Sequence, residues 1–231
     1  MTRLNIPPSV RLTVLGVMLS CIFSGCGTIN KADARASTTN AIKDEVSVCE
    51  LVDARQMEEV TASQLVSFVY DHTPTFDNEP PSEEDLFPTL HCRIYFPDDT
   101  AFSKIEIHYQ GRTVVDFGES VGTVAFDQAL LHERVKETTI EQKEGRGLIY
   151  EDNSSGPLFA WKYPDGHVLT MRVSYAVRDD EGNRDLRKNI QMLISIFQLV
   201  GDRVPQVASG PKRELTFYPE DSDPLRDTKS P

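Results

Sequence analysis

The sequence predicts an α+β fold, an antiparallel sheet in two meanders with helices packed on one face. Three observations lead there. Apolar and polar residues alternate at period two through residues 90–117 and 145–177. Turn residues such as Pro97-Asp98-Asp99, Gln110-Gly111 and Pro164-Asp165-Gly166 separate these runs at hairpin distances. A single long stripe at helical spacing follows the last run.

The elements read in order as follows. Asp53 can cap a helix, with Gln56 three residues on, and Met57 and Val60 share a face, so a short helix is expected over 54–62. QLVSFVY (64–70) reads as a strand. Residues 71–89 hold Pro74, Pro80, Pro81 and Pro88 together with six acids, the composition of a solvated loop. LHCRIYF (90–96), AFSKIEIHY (101–109) and RTVVDF (112–117) form the first meander. Thr123 can cap a helix over 124–138, where Ala129, Leu130 and Val135 fall at helical spacing. GRGLIYE (145–151), GPLFAWKY (156–163) and HVLTMRVSYAV (167–177) form the second meander. In its last strand Leu169, Met171, Val173, Tyr175 and Val177 face one side. Asn183 then caps a helix whose Leu186, Ile190, Leu193, Ile194, Phe197 and Val200 form a stripe, ended by Gly201. After Pro205 the chain is polar and carries prolines, so residues 205–231 are expected to be a disordered tail behind a globular domain of residues 46–204.

The chain has 231 residues, 39 % of them apolar, and a formal charge of −12. That composition fills one core and excludes wholesale disorder. It offers no basic stripe to neutralise phosphates, so nucleic acid is not an expected partner.

The N-terminus carries the strongest functional signal. Arg3 and Arg11 are the only charges in residues 1–25, and residues 12–25 are an uncharged apolar run of 14. A run of that length falls short of the ~20 residues a membrane-spanning helix needs, but it suits the h-region of a secretory signal peptide. The run ends in Phe23-Ser24-Gly25-Cys26, which resembles the lipobox of bacterial lipoproteins, with Phe23 in place of the usual Leu. The resemblance implies that residues 1–25 are a lipoprotein signal peptide and that Cys26 is lipidated with palmitate-like acyl chains. Met18-Leu19-Ser20-Cys21 is a rival box, but it truncates the apolar run and sets bulky Leu19 beside the cut. Other readings are a signal peptide without lipid, or a buried helix ending in a core thiol; a buried helix would normally show a polar face, and this run has almost none. Small polar residues 26–45 follow as a flexible tether.

After lipidation two cysteines remain, Cys49 and Cys92. In an oxidising compartment they are the expected disulfide, the alternative being two separate buried thiols. Neither has a second Cys or His at ligand spacing, so no metal is expected there.

Ser47-Val48-Cys49-Glu50-Leu51-Val52-Asp53-Ala54 opens the domain, and Cys92 stands in Leu90-His91-Cys92-Arg93. Together with the final strand and helix over 167–201, these residues resemble the actinobacterial lipoprotein family called domain of unknown function 3558. The chain departs from the family pattern in lacking the Gly that usually ends the first helix and in its longer loop at 71–89. The resemblance implies a disulfide-bearing lipoprotein with no established reaction and no catalytic residue to carry over.

Candidate chemistry is sparse. Ser120 in Gly118-Glu119-Ser120-Val121-Gly122 falls short of the G-x-S-x-G elbow. Histidines 72, 91, 108, 132 and 167 are scattered, without the paired spacing of zinc enzymes. Asp179 to Asp185 is rich in oxygen ligands but lacks the Glu that closes a calcium loop. No cofactor or metal is therefore expected. Phe159, Trp161 and Tyr163 alternate along one strand and are the candidate binding surface, although aromatics at period two more often build a core.

The expected function is that of a membrane-anchored, extracytoplasmic, non-enzymatic lipoprotein. It would sit on the cell membrane through its N-terminal lipid and bind a protein, lipid or cell-wall component. The alternative is a membrane-tethered hydrolase whose site has no recognised motif.

Overall fold

The structure is a computed structural model, and it describes residues 46–72, 88–97, 103–117, 122–151, 156–175 and 185–219. The expected signal peptide and tether with Cys26, most of the acidic loop 71–89, Ser120 and Asn183 lie outside the described residues.

The chain begins with a small hairpin, β1 (Ser47–Val48) and β2 (Val52–Asp53), which runs into α1 (Ala54–Thr61). Strands β3 (Ser67–Asp71), β4 (Leu90–Tyr95) and β5 (Lys104–Gln110) follow as one antiparallel meander. A second hairpin, β6 (Val114–Asp116) with β7 (Thr123–Ala125), leads into α2 (Phe126–Ala129). The second meander is β8 (Val135–Thr138), β9 (Arg146–Tyr150), β10 (Leu158–Lys162) and β11 (Val168–Ser174). Helices α3 (Leu186–Val200) and α4 (Val204–Ala208) and strand β12 (Thr216–Tyr218) complete the order.

β5 pairs with β11, so the two meanders merge into one eight-stranded sheet of order β12-β3-β4-β5-β11-β10-β9-β8. The α+β class and the antiparallel sheet are as the alternation predicts. Each strand of the sheet centre splits its residues between two faces. On one face Leu90, Cys92, Ile94, Ile105, Ile107, Leu169, Met171, Phe159 and Trp161 meet the apolar sides of α1, α3 and α4. α3 contributes Met192, Leu193, Ile196, Phe197 and Val200, and each fully buried Leu, Ile or Phe of this kind stabilises by ~1.5–3 kcal/mol. On the opposite face a smaller cluster, with Val115, Phe117, Phe126, Leu148, Tyr150 and Leu158, seats the β6–β7 hairpin and α2 over β9 and β10. Three helices thus share a face and the short α2 takes the other.

The structure corrects several element-level expectations. RTVVDF is not the third strand of the first meander, because β6 leaves the sheet and pairs with β7. The helix expected over 124–138 shrinks to the four residues of α2. Only Phe126 and Ala129 find a core there, while Leu131 is 86 % exposed. From Val135 onward, pairing with β9 offers backbone hydrogen bonds along one edge to a run in which β-branched Val135, Thr138, Thr139 and Ile140 favour strand over helix. α3 is capped by Asp185, whose carboxylate accepts from the Lys188 N–H, rather than by Asn183. Residues 205–219 are not a disordered tail. α4 buries Val204 and Ala208 in the main core, and β12 becomes an edge strand on β3. The polar composition that suggested disorder is that of a segment that buries Val204 and Ala208 and packs Tyr218 against the core while Leu215 stays exposed.

Candidate functional site

The predicted site residues fall into three groups. Cys26 lies outside the described residues. Cys49 and Cys92 form a disulfide with their Cα atoms 6.0 Å apart. It ties the β1–β2 turn, just before α1, to the second strand of the first meander, and the pair is the one the sequence reading expects.

The aromatic row is the third group, and it is core rather than a binding surface. Phe159 and Trp161 are fully buried beneath α3, their ring centroids 5.1 and 4.9 Å from that of Phe197. Tyr163 donates its hydroxyl to the Gly201 carbonyl at 2.6 Å and meets Tyr109 edge-on, which fastens the C-terminal end of α3 to the sheet. Burial raises the pKa of both tyrosines, so each stays a neutral phenol. The row lines the face that receives α3, a helix with six buried side chains, which covers Phe159 and Trp161 while Tyr163 stays partly buried at its edge. Room for the indole comes from Gly145 and Gly147: a Cβ on Gly145 would lie 2.6 Å from Trp161 Nε1, and one on Gly147 would lie 3.0 Å from Trp161 Cε3.

The polar side chains that the fold does bring together stand on the opposite face of β3, β4, β5 and β11. The ladder aligns Asp71, His91, His108 and Thr170 in one row across these four strands. At ~4.8 Å per strand the row is roughly 14 Å long. The His91 and His108 rings lie 5.2 Å apart, tilted by 44°. Burial pulls the His91 pKa down to about 4, helped by His108 and Arg93 beside it. Burial also lowers His108, against the pull of Asp116, Asp71 and Glu106. Both imidazoles are therefore neutral near pH 7, and each can donate one hydrogen bond and accept another. The Thr170 hydroxyl at the end of the row is buried without a hydrogen-bond partner.

The next row along is charged. Arg93, Glu106 and Arg172 face one another across β4, β5 and β11. Lys104 pairs with Glu106 at 2.6 Å, and Arg172 donates to the Asp116 carbonyl at 2.7 Å. Burial alone would raise the Glu106 pKa, but the Lys104 hydrogen bond and charge outweigh it and hold the carboxyl below its ordinary value. The result is a row of two neutral imidazoles and a hydroxyl with the Asp71 carboxylate at one end, bordered by a row of alternating charge. Such a surface suits recognition of a polar ligand or a polar protein face. Among the described residues no group of three or more His, Cys, Asp or Glu is placed to hold a metal ion.

Sequence reasoning treated these histidines as scattered. Face membership was readable, since His91 alternates with Leu90 and Cys92, and His108 with Ile107 and Tyr109. The register was not, because nothing in residues 96–103 fixes how β4 and β5 slide against each other.

No family model, curated protein or solved structure matches this chain.

Proposed function

We propose that this protein is a membrane-anchored, extracytoplasmic lipoprotein whose folded domain is a non-enzymatic binding module for an envelope partner or ligand. The observation that carries the reading is the N-terminal pattern: Arg3 and Arg11, an uncharged run over 12–25, then Phe23-Ser24-Gly25-Cys26. The Cys49–Cys92 disulfide supports it, since such bridges persist in oxidising compartments outside the cytosol. The resemblance to the lipoprotein family called domain of unknown function 3558, through Cys49, Cys92 and the closing strand and helix, points the same way. The polar face with His91, His108 and the Arg93–Glu106–Arg172 row is the surface we assign to the partner.

The test is Cys26→Ser in the producing cell, with membrane fractionation and labelling by an alkynyl fatty acid. The wild-type chain is expected in the membrane fraction and labelled. The variant should be unlabelled, and either released or retained with its signal peptide uncut. Full labelling and unchanged processing of Cys26→Ser would overturn the reading.

A further inference from the structure

We propose that residues 211–219 form an acid-releasable strap that guards the β3 edge of the sheet, with His72 as its trigger. These contacts hold the strap. β12 pairs with β3 through three residues only. Tyr218 stacks on Phe68 with ring centroids 5.1 Å apart and planes 12° from parallel. The His72 N–H donates to the Arg213 carbonyl at 3.3 Å. Arg213 Nε binds Glu50 Oε1 at 2.6 Å, with the arginine side chain 56 % exposed.

Glu50 is itself held in place. It follows Cys49 in a turn closed by the Leu51 N–H on the Val48 carbonyl, and both residues have positive φ, 52° and 61°. Side chains other than glycine rarely adopt that conformation. The disulfide pins the first of the two and the strap's arginine the second.

His72 lies where the strap crosses the end of β3. Its side chain is 1 % exposed, and neither ring nitrogen has a hydrogen-bond partner. The ring stacks parallel to Tyr70 at 6.4 Å. Its Nε2 lies 3.9 Å from Glu50 Oε2, too far for a hydrogen bond. The charges that face it are Glu50 from the hairpin turn, Arg213 and Lys212 from the strap, and Asp71 from β3. Two are acidic and two basic. Glu50 turns a different oxygen to each: Oε1 holds Arg213, the residue that latches the strap, and Oε2 is the one nearest His72.

A closed strap therefore demands a neutral imidazole stripped of both water hydrogen bonds. An open strap returns that ring to water, where it binds a proton near its ordinary pKa of about 6.5. Protons bind the open form more tightly than the closed one, so acid favours opening by linkage. Burial, the largest influence on the group, lowers its pKa in the closed form, in agreement with this sign. If the closed form takes no proton, the opening equilibrium grows by a factor of roughly 1 + 10^(6.5 − pH), which is about thirty between pH 7.5 and pH 5. Opening strips β3 of its neighbour and leaves its outer N–H and C=O groups unpaired.

Amide hydrogen exchange on the full-length oxidised chain tests this, with intrinsic rates corrected for pH. From pH 7.5 to 5.0 the strap amides 212–218 and the His72 amide should lose protection by up to about thirty-fold, a loss that His72→Phe removes while any change in the β4 and β5 amides is the same in both chains. His72→Phe retains the flat buried ring and should make strap protection independent of pH. Arg213→Gln should lower strap protection at both pH values and leave the pH slope intact. Equal strap protection at the two pH values in the native chain would overturn the proposal, as would an unchanged slope in His72→Phe. So would a His72 ring that titrates near pH 6.5 by NMR while the strap amides stay protected.

Discussion

Ala62 ends α1 in the left-handed region, φ 52°, where a Cβ crowds the following carbonyl. Glycine is the usual occupant of such a position. Ala62→Gly is expected to stabilise the domain by about 1 kcal/mol, read as a higher urea midpoint with an unchanged slope. His91 gives the second prediction at this scale. Its folded pKa of about 4 lies below the ordinary value of 6.5. The unfolded chain therefore takes up the proton first as pH falls. Stability is complete above pH 6.5 and drains between there and pH 4, by on the order of 2–3 kcal/mol for this one group. Urea titrations across that window should show the loss, and His91→Gln should flatten this part of the profile.

At the scale of elements, α3 is fixed by one buried stack and one cap. Trp161, Phe159 and Phe197 interlock under the helix, and the indole fills the space left by Gly145 and Gly147. Trp161→Ala should cost about 3–5 kcal/mol, the range for emptying an aromatic site in a close-packed core, checked by chemical denaturation. The cap is worth less. Asp185→Ala removes the acceptor for the Lys188 N–H and should cost about 1 kcal/mol. The Asp127 carboxylate, shared between Arg146 and Lys162 on an exposed surface, is a poor candidate for stabilisation.

For the molecule as a whole the disulfide is the main covalent constraint among the described residues. It closes a loop with a sequence separation of 43 and spans the acidic segment between β3 and β4. In the chain-entropy account, a loop of that length contributes ~4 kcal/mol by restricting the unfolded chain. The double variant Cys49→Ala, Cys92→Ala should lower the thermal midpoint strongly. If the N-terminal lipid is the anchor, that variant should still fractionate with membranes, because anchoring and folding depend on different cysteines.

The sequence by itself determined the α+β class, seven of the twelve described strands to within two or three residues, the shared face of Leu169, Met171 and Val173, and the pairing of the two cysteines. These follow from local rules: period-two alternation, turn residues, one amphipathic stripe and a count of thiols. Tertiary structure decided the rest. Joining the meanders through β5 and β11 depends on strands some sixty residues apart in the chain, and no local pattern encodes that choice. The fate of Val135–Thr138 was settled by a free edge on β9, and that of Thr216–Tyr218 by one on β3, because segments this short form a strand only where a partner edge is available. The same long-range register set His91 against His108 and made the polar rows. It also buried Phe159 and Trp161 under α3, since alternation tells that a row shares a face but not which element will cover it.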